Sequence, residues 1–124
     1  MSPMDNVELI LQRIREFRDE RNWEQFHNPK DMAIAISLEA GELLEHFLWK
    51  GPSEVEARVV SHRKEIEAEL ADISIYLFEL AENLGVDLID AMNRKITINA
   101  EKYPVDLVRG SSKKYSEYNQ EHGD

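Results

Sequence analysis

The stretch NPKDMAIAISLEAGELLEHFLWK, residues Asn28 to Lys50, decides the reading of this 124-residue chain. Asn28 can accept from the first free amides of a helix, and Pro29 suits the first helical position. The spacing predicts a helix from there to about Trp49, ended by Gly51-Pro52-Ser53. Met32 to Leu38 is apolar apart from Ser37, and Leu43, Leu44, Phe47, Leu48 and Trp49 follow. A helix apolar nearly all round is expected to be largely buried. Yet it carries Glu39, Glu42 and Glu45, three residues apart and so on one side. Like charges at that spacing repel by about 0.2–0.5 kcal/mol per pair in water. No Lys or Arg stands three or four residues from Glu39 or Glu42 to offset them.

A second stripe downstream repeats the conflict. Ile66, Leu70, Ile73, Leu77, Leu80 and Leu84 predict a helix that places Glu69 and Asp72 three apart. Buried charges must be paired, protonated or metal-bound. Two such acidic pairs on adjacent helices can meet at one point. Four carboxylates without His or Cys make an all-oxygen site, suited to Mg²⁺ or Mn²⁺. The other reading is an intersubunit network, with basic residues donated by another chain. Convergence within one chain sets a condition. A continuous hairpin would leave arms unequal by roughly 12 Å at 1.5 Å per residue. Glu54 to Ser61 must therefore be a separate short helix or a loop.

Outside these segments, Val7, Ile10, Leu11, Ile14 and Phe17 predict a first helix to about Arg21, capped by Asp5 or Asn6. Asn22 to Lys30 breaks the period and carries Trp23, Phe26 and His27. Gly85 suits a C-terminal cap. Asp87 can start a fourth helix with Leu88, Ala91, Met92 and Ile96, ending before Tyr103-Pro104. No strand alternation is sustained. The expected fold is an all-α, four-helix bundle-type core over about 5–104, with an irregular polar tail over about 105–124. The length predicts one domain, 1–124. Apolar residues make up 42%, enough for a core, and cysteine is absent, which excludes a disulfide scaffold or thiolate chemistry. A cytoplasmic location is the expectation. The longest uncharged run is seven residues, Met32 to Leu38, so no membrane span is expected. A net charge of −10 argues against a nucleic-acid partner.

The chain resembles the MazG-like, all-α nucleoside triphosphate pyrophosphohydrolases, and among them the dCTP pyrophosphatase branch. The resemblance rests on E-x-x-E at Glu39 and Glu42, then 26 residues, then E-x-x-D at Glu69 and Asp72. It extends to Trp23-Glu24-Gln25-Phe26-His27, to Phe47-Leu48-Trp49-Lys50, to Tyr76, and to Asn99-Ala-Glu-Lys-Tyr-Pro104 followed by Arg109-Gly-Ser-Ser-Lys113-Lys114-Tyr115. It covers about Phe17 to Tyr115. It implies hydrolysis of a nucleoside triphosphate, most simply dCTP or a modified dCTP, to the monophosphate and pyrophosphate. It implies metal binding by Glu39, Glu42, Glu69 and Asp72. Base and sugar contacts carry over to Trp23, Glu24, Gln25, Phe26, His27, Trp49, Tyr76 and Asn99. Assembly as a dimer or tetramer is also implied. One position departs: Ile14 stands where related enzymes can carry a histidine, so no nucleotide contact is carried over to the first helix.

The residues suit this chemistry. A metal offsets the triphosphate charge before carboxylates approach it, and a carboxylate beside the attacking water can take its proton. Glu39, Glu42 and Glu45 are the candidates for that base. Trp49, seven residues after Glu42, is expected on the same helix face, roughly 10 Å along. Trp23 and Phe26 can close over a base from the other side, His27 can bond to a base or phosphate, and Tyr76 can orient Asp72 or meet the sugar. Lys102, Arg109, Lys113 and Lys114 can hold the β,γ-phosphates. Two alternatives stand beside this reading: a non-catalytic helical oligomer or adaptor, and the same reaction on another base, as in dUTP.

Overall fold

The computed structural model describes residues 5–110, except the side chain of Val108. Among them are six α-helices and no strand: α1 (Asn6–Glu20), α2 (Pro29–Glu45), α3 (Pro52–Ser61), α4 (Arg63–Asn83), α5 (Leu88–Lys102) and α6 (Val105–Val108). A single 3-10 turn, Glu24–Phe26, lies between α1 and α2. The chain forms two compact units, one ending at Val86 and the other starting at Asp87. The first holds α1 to α4, and the second holds α5 and α6.

Helix starts follow side-chain chemistry. Asp5 accepts from the Glu8 amide at 2.8 Å, and Asp87 accepts from Asp90 at 3.0 Å. Asn28 accepts from the Asp31 amide at 2.9 Å, and its own amide donates back to the Asp31 carboxylate at 2.7 Å. Each bond from a backbone amide satisfies a donor that the first turn leaves free. Asn28→Ala is expected to cost about 0.5–2 kcal/mol, read as a lower thermal midpoint. At the other end of α4, Gly85 adopts φ +69°, which closes the helix without a Cβ penalty.

In the first unit α2 packs along α4, and α1 and α3 also pack against α4. The separate helix required between the two acidic pairs is α3, which His62 (φ −121°) breaks from α4. Without that break, α2 and α4 could not bring their acids level.

Three expectations are corrected. First, α2 ends at Glu45, not Trp49. His46 and Phe47 bond back three residues, to Leu43 and Leu44, and Lys50 bonds to Phe47, so the chain tightens into turns. Trp49 takes φ +64°, a left-handed conformation that ends any helix and is costly for a residue with a Cβ. Second, α2 is not buried all round. Met32 is buried, but Leu38 is 65% exposed, and Ile34 and Leu44 are exposed too. One layer of neighbours covers one side of a helix, and α4 is the main neighbour α2 has within this unit. Third, the C-terminal segment is not irregular from residue 105, because α6 makes one more helical turn.

Candidate active site

The acidic pairs meet across the α2–α4 seam. Ligand oxygens from Glu39, Glu69 and Asp72 all lie within 4.8 Å of one another. Glu39 and Glu69 each keep a buried carboxylate oxygen with no hydrogen-bond partner. Among the described residues none of the acids forms an ion pair, whereas Arg63 beside them on α4 pairs with Glu67. Crowding of the charges raises their pKa values. Glu39 is pushed up to about 7, first by sharing a hydrogen bond with Glu69, then by burial and by Glu42. For Glu69, the bond with Glu39 lowers its pKa, but burial and the negative Glu42 and Asp72 outweigh it and leave a net rise. Unpartnered oxygens and mutual repulsion are what a hard divalent cation relieves, so the donor set fits such an ion. Glu42 stands outside the close trio, yet its charge acts on both Glu39 and Glu69. Glu45, the last residue of α2, is exposed and is not part of the cluster.

A cavity of about 600 Å³ adjoins these acids. That volume is typical of small-molecule sites. Glu39, Asp72 and Tyr76 form one wall, Trp23 and His27 another, and Ile14 and Phe17 of α1 a third. Trp23 stacks edge-on against Phe17, with ring centroids 5.7 Å apart. The Arg21 guanidinium covers Phe17, 3.8 Å from the ring centre. The loop is tied down at both ends: Gln25 donates to the Asn22 carbonyl at 3.0 Å, and Asn83 of α4 donates to the His27 carbonyl. Tyr76 is pushed up by burial and by Glu39, Glu79 and Asp72, so its hydroxyl keeps its proton and can donate.

The other candidates fall differently. Glu24, Gln25 and Phe26 do not line this cavity, and Phe26 is exposed. Trp49 is 92% exposed, and its left-handed backbone takes it off the helix face that carries Glu42. Asn99 and Lys102 lie in the last turn of α5, and Arg109 follows α6, all in the second unit. Lys113 and Lys114 lie outside the described residues. Two contributions were not anticipated. Arg13 of α1 and Arg21 just after it line the cavity, together with the acidic Glu16 and Glu20. Glu79 also lines it, although buried. A signal for Glu79 was present, since Glu69, Asp72, Tyr76 and Glu79 recur at helical spacing on one face of α4.

An all-α fold whose paired helices close an acidic centre beside an aromatic-walled cavity is compatible with a divalent metal at that centre. The profile of the MazG-like family matches residues 34–118. The chain is 42% identical over 118 residues to dCTP pyrophosphatase 1 of Mus musculus, covering 94% of this chain and 69% of the relative. The Homo sapiens protein of the same name matches to the same extent. A crystal structure of a pyrophosphatase from Archaeoglobus fulgidus superposes with a TM-score of 0.80 at 38% identity, over 84% of this chain and 97% of that one. The chain belongs to the MazG-like family.

Proposed function

We propose that this chain, acting as one domain, hydrolyses dCTP or a modified dCTP to the monophosphate and pyrophosphate, with a divalent metal bound by Glu39, Glu42, Glu69 and Asp72. The observation that carries the reading is the meeting of unpartnered Glu39 and Glu69 oxygens with Asp72 at the mouth of an aromatic-walled cavity. The relatives' names supply the reaction and the base. Mg²⁺ held there, with Mn²⁺ as a substitute, supplies positive charge for the phosphates and lowers the pKa of a bound water.

The chain's own residues do the rest. A water oxygen attacks the α-phosphorus while the bond to the α–β bridging oxygen breaks. The water's proton passes to a carboxylate, a non-ligating edge of Glu39 or Glu42, with Glu45 as the other candidate. Trp23, braced edge-on against Phe17, offers its ring to a base. Tyr76 donates its hydroxyl near Asp72. Arg13 and Arg21 offset part of a lining that also carries Glu16 and Glu20. Lys102 and Arg109 are assigned to the β,γ-phosphates, Asn99 to the sugar, and Trp49 to the base.

Self-association is part of this proposal and is supported by Ile34 and Leu38, exposed one turn apart on α2, since contiguous exposed apolar side chains mark interaction surfaces. No helix among the described residues is long and apolar enough to cross a membrane. A cytoplasmic site of action, where nucleotides are handled, is part of this proposal.

The test is product analysis with Mg²⁺ across the common nucleoside triphosphates. The expected result is dCMP and pyrophosphate in equal amounts from dCTP, abolished by a chelator and by Glu42→Gln. Preference for dUTP would keep the reaction and overturn the base. No turnover of any nucleotide would favour a non-catalytic helical adaptor.

A further inference from the structure

Glu79 is the most enclosed charged residue among those described. It is 6% exposed and lines the cavity. Its Oε2 has no hydrogen-bond partner, and neither has Nδ1 of His27. These two atoms face each other at 3.7 Å, with both side chains largely enclosed. That separation is too long for a hydrogen bond. Both atoms are covered as they stand, and a small turn of each side chain towards the cavity it lines would bring them to neighbouring positions on one flat ligand. A buried polar group without a partner costs free energy, so a protein that keeps two side by side in a cavity holds them for a ligand.

We propose that Glu79 and His27 form a fixed acceptor–donor pair that reads the 4-amino edge of a pyrimidine base. The proposal rests on the nucleotide reading of the cavity given above. A 4-aminopyrimidine presents an amino donor beside a ring-nitrogen acceptor. The Glu79 oxygen accepts from the amino group, a pairing that acidic side chains make readily with cytosine. The imidazole N–H of His27 donates to the ring nitrogen. Uracil and thymine reverse both polarities. A carbonyl oxygen would then face the carboxyl oxygen, and a ring N–H would face the imidazole N–H. Sites that hydrogen-bond a substrate reject such analogues strongly, because their own buried groups are left unpaired.

Two features hold the pair in place. Asn83 donates to the His27 carbonyl and fixes the end of the loop. Glu79 stands on the same face of α4 as Asp72 and Tyr76, so the base edge and the acidic centre share one rigid element. Burial pushes the Glu79 carboxyl up, against the opposing pull of His27 and Arg18. Acceptance from the amino group holds in either protonation state, whereas rejection of uracil holds while the carboxyl is ionised, since a protonated one could donate to the 4-carbonyl as the glutamine variant would.

The experiment measures calorimetric binding of three monophosphates to the full chain without metal: dCMP, dUMP and the 2-pyrimidinone deoxynucleotide that lacks the 4-amino group. The wild type is expected to favour dCMP over both by at least about tenfold, the value of one well-made hydrogen bond in a buried site. Glu79→Met should erase the preference over the pyrimidinone analogue. Glu79→Gln keeps the size, adds a donor and should relax the rejection of dUMP, which covers the case of a methionine variant that does not fold. A general loss of stability would weaken all three ligands and leave their ratios unchanged. The proposal is overturned if the wild type binds dCMP and the pyrimidinone equally, if it binds none of the three, or if a folded Glu79 variant keeps the full preference. Because these ligands need no turnover, selective binding without hydrolysis would overturn only the catalytic reading. Hydrolysis whose base preference ignores Glu79 would overturn only this one.

Discussion

Glu39→Gln is expected to stabilise the metal-free protein while removing at least about 100-fold of its activity, more than the 10–100-fold usual for groups that only support a ligand. The two effects have one cause. Glu39 is forced against Glu69 and Glu42, and its pKa rises to about 7. In the unfolded chain the same group titrates near its ordinary value of 4.5. Below that pH both states hold the proton, and the cluster costs nothing. Between about 4.5 and 7 the unfolded chain releases its proton first, so stability falls as pH rises. Above 7 the full penalty is present. Glutamine removes the charge but keeps the shape. Thermal melts in a chelator should show the wild type losing stability from pH 5 to pH 8, with a smaller loss in the variant. Glu69 and Glu79, also raised, leave part of that slope in both proteins.

Divalent cation reverses the trend. Metal binding requires the deprotonated carboxylates, so the thermal gain on adding Mg²⁺ should grow from pH 5.5 to pH 8. In Glu39→Gln that gain should all but vanish. A metal-free variant less stable than the wild type at pH 8 would show that the cluster is held by attractions that this account lacks.

Leu38→Glu is expected to dissociate the protein. Leu38 is 65% exposed in a single chain, and Ile34, one turn earlier on α2, is exposed as well. Fully burying one leucine contributes about 1.5–3 kcal/mol, which makes a dissociation constant about 10–100-fold weaker when a charge takes its place. Light scattering after gel filtration should report an oligomer for the wild type and a smaller species for the variant. The variant should also lose the concentration dependence of its thermal midpoint. A wild type that is monomeric at micromolar concentration would contradict the proposed self-association. Leu38 is one residue from Glu39, so the variant's Mg²⁺ response must be read alongside; a dissociated chain that still gains stability from Mg²⁺ separates the two effects.

Much of the molecule was legible one residue at a time. Asp5, Asn28 and Asp87 start helices because a short polar side chain meets the free amides of a first turn, and only three residues are involved. The acids stood out because Glu39 and Glu69 sit in apolar surroundings without a basic neighbour at helical spacing. The need for a break between the two acidic pairs followed from rise per residue alone, and α3 supplies it. The end of α2 was not legible. His46 to Trp49 has helical composition, and what stops the helix is the left-handed turn at Trp49, which the path into α3 imposes. Glu79 escaped notice because an acid on a long helix is ordinary until its burial is known.

By itself, then, the order of amino acids determined where the helices start, which of their residues are acidic against an apolar background, and that the chain is all-α. These properties repeat every three or four residues and are set by neighbours along the chain. Only the tertiary structure decided which carboxylates come within 4.8 Å, that Glu42 stands just outside them, that α1 and the Trp23–His27 loop wall the cavity, and that Glu79 and His27 face each other at 3.7 Å without a hydrogen bond. Those facts depend on how α2 slides along α4 and on how far a loop folds back. Packing across the seam sets both, and no local period in the chain records them.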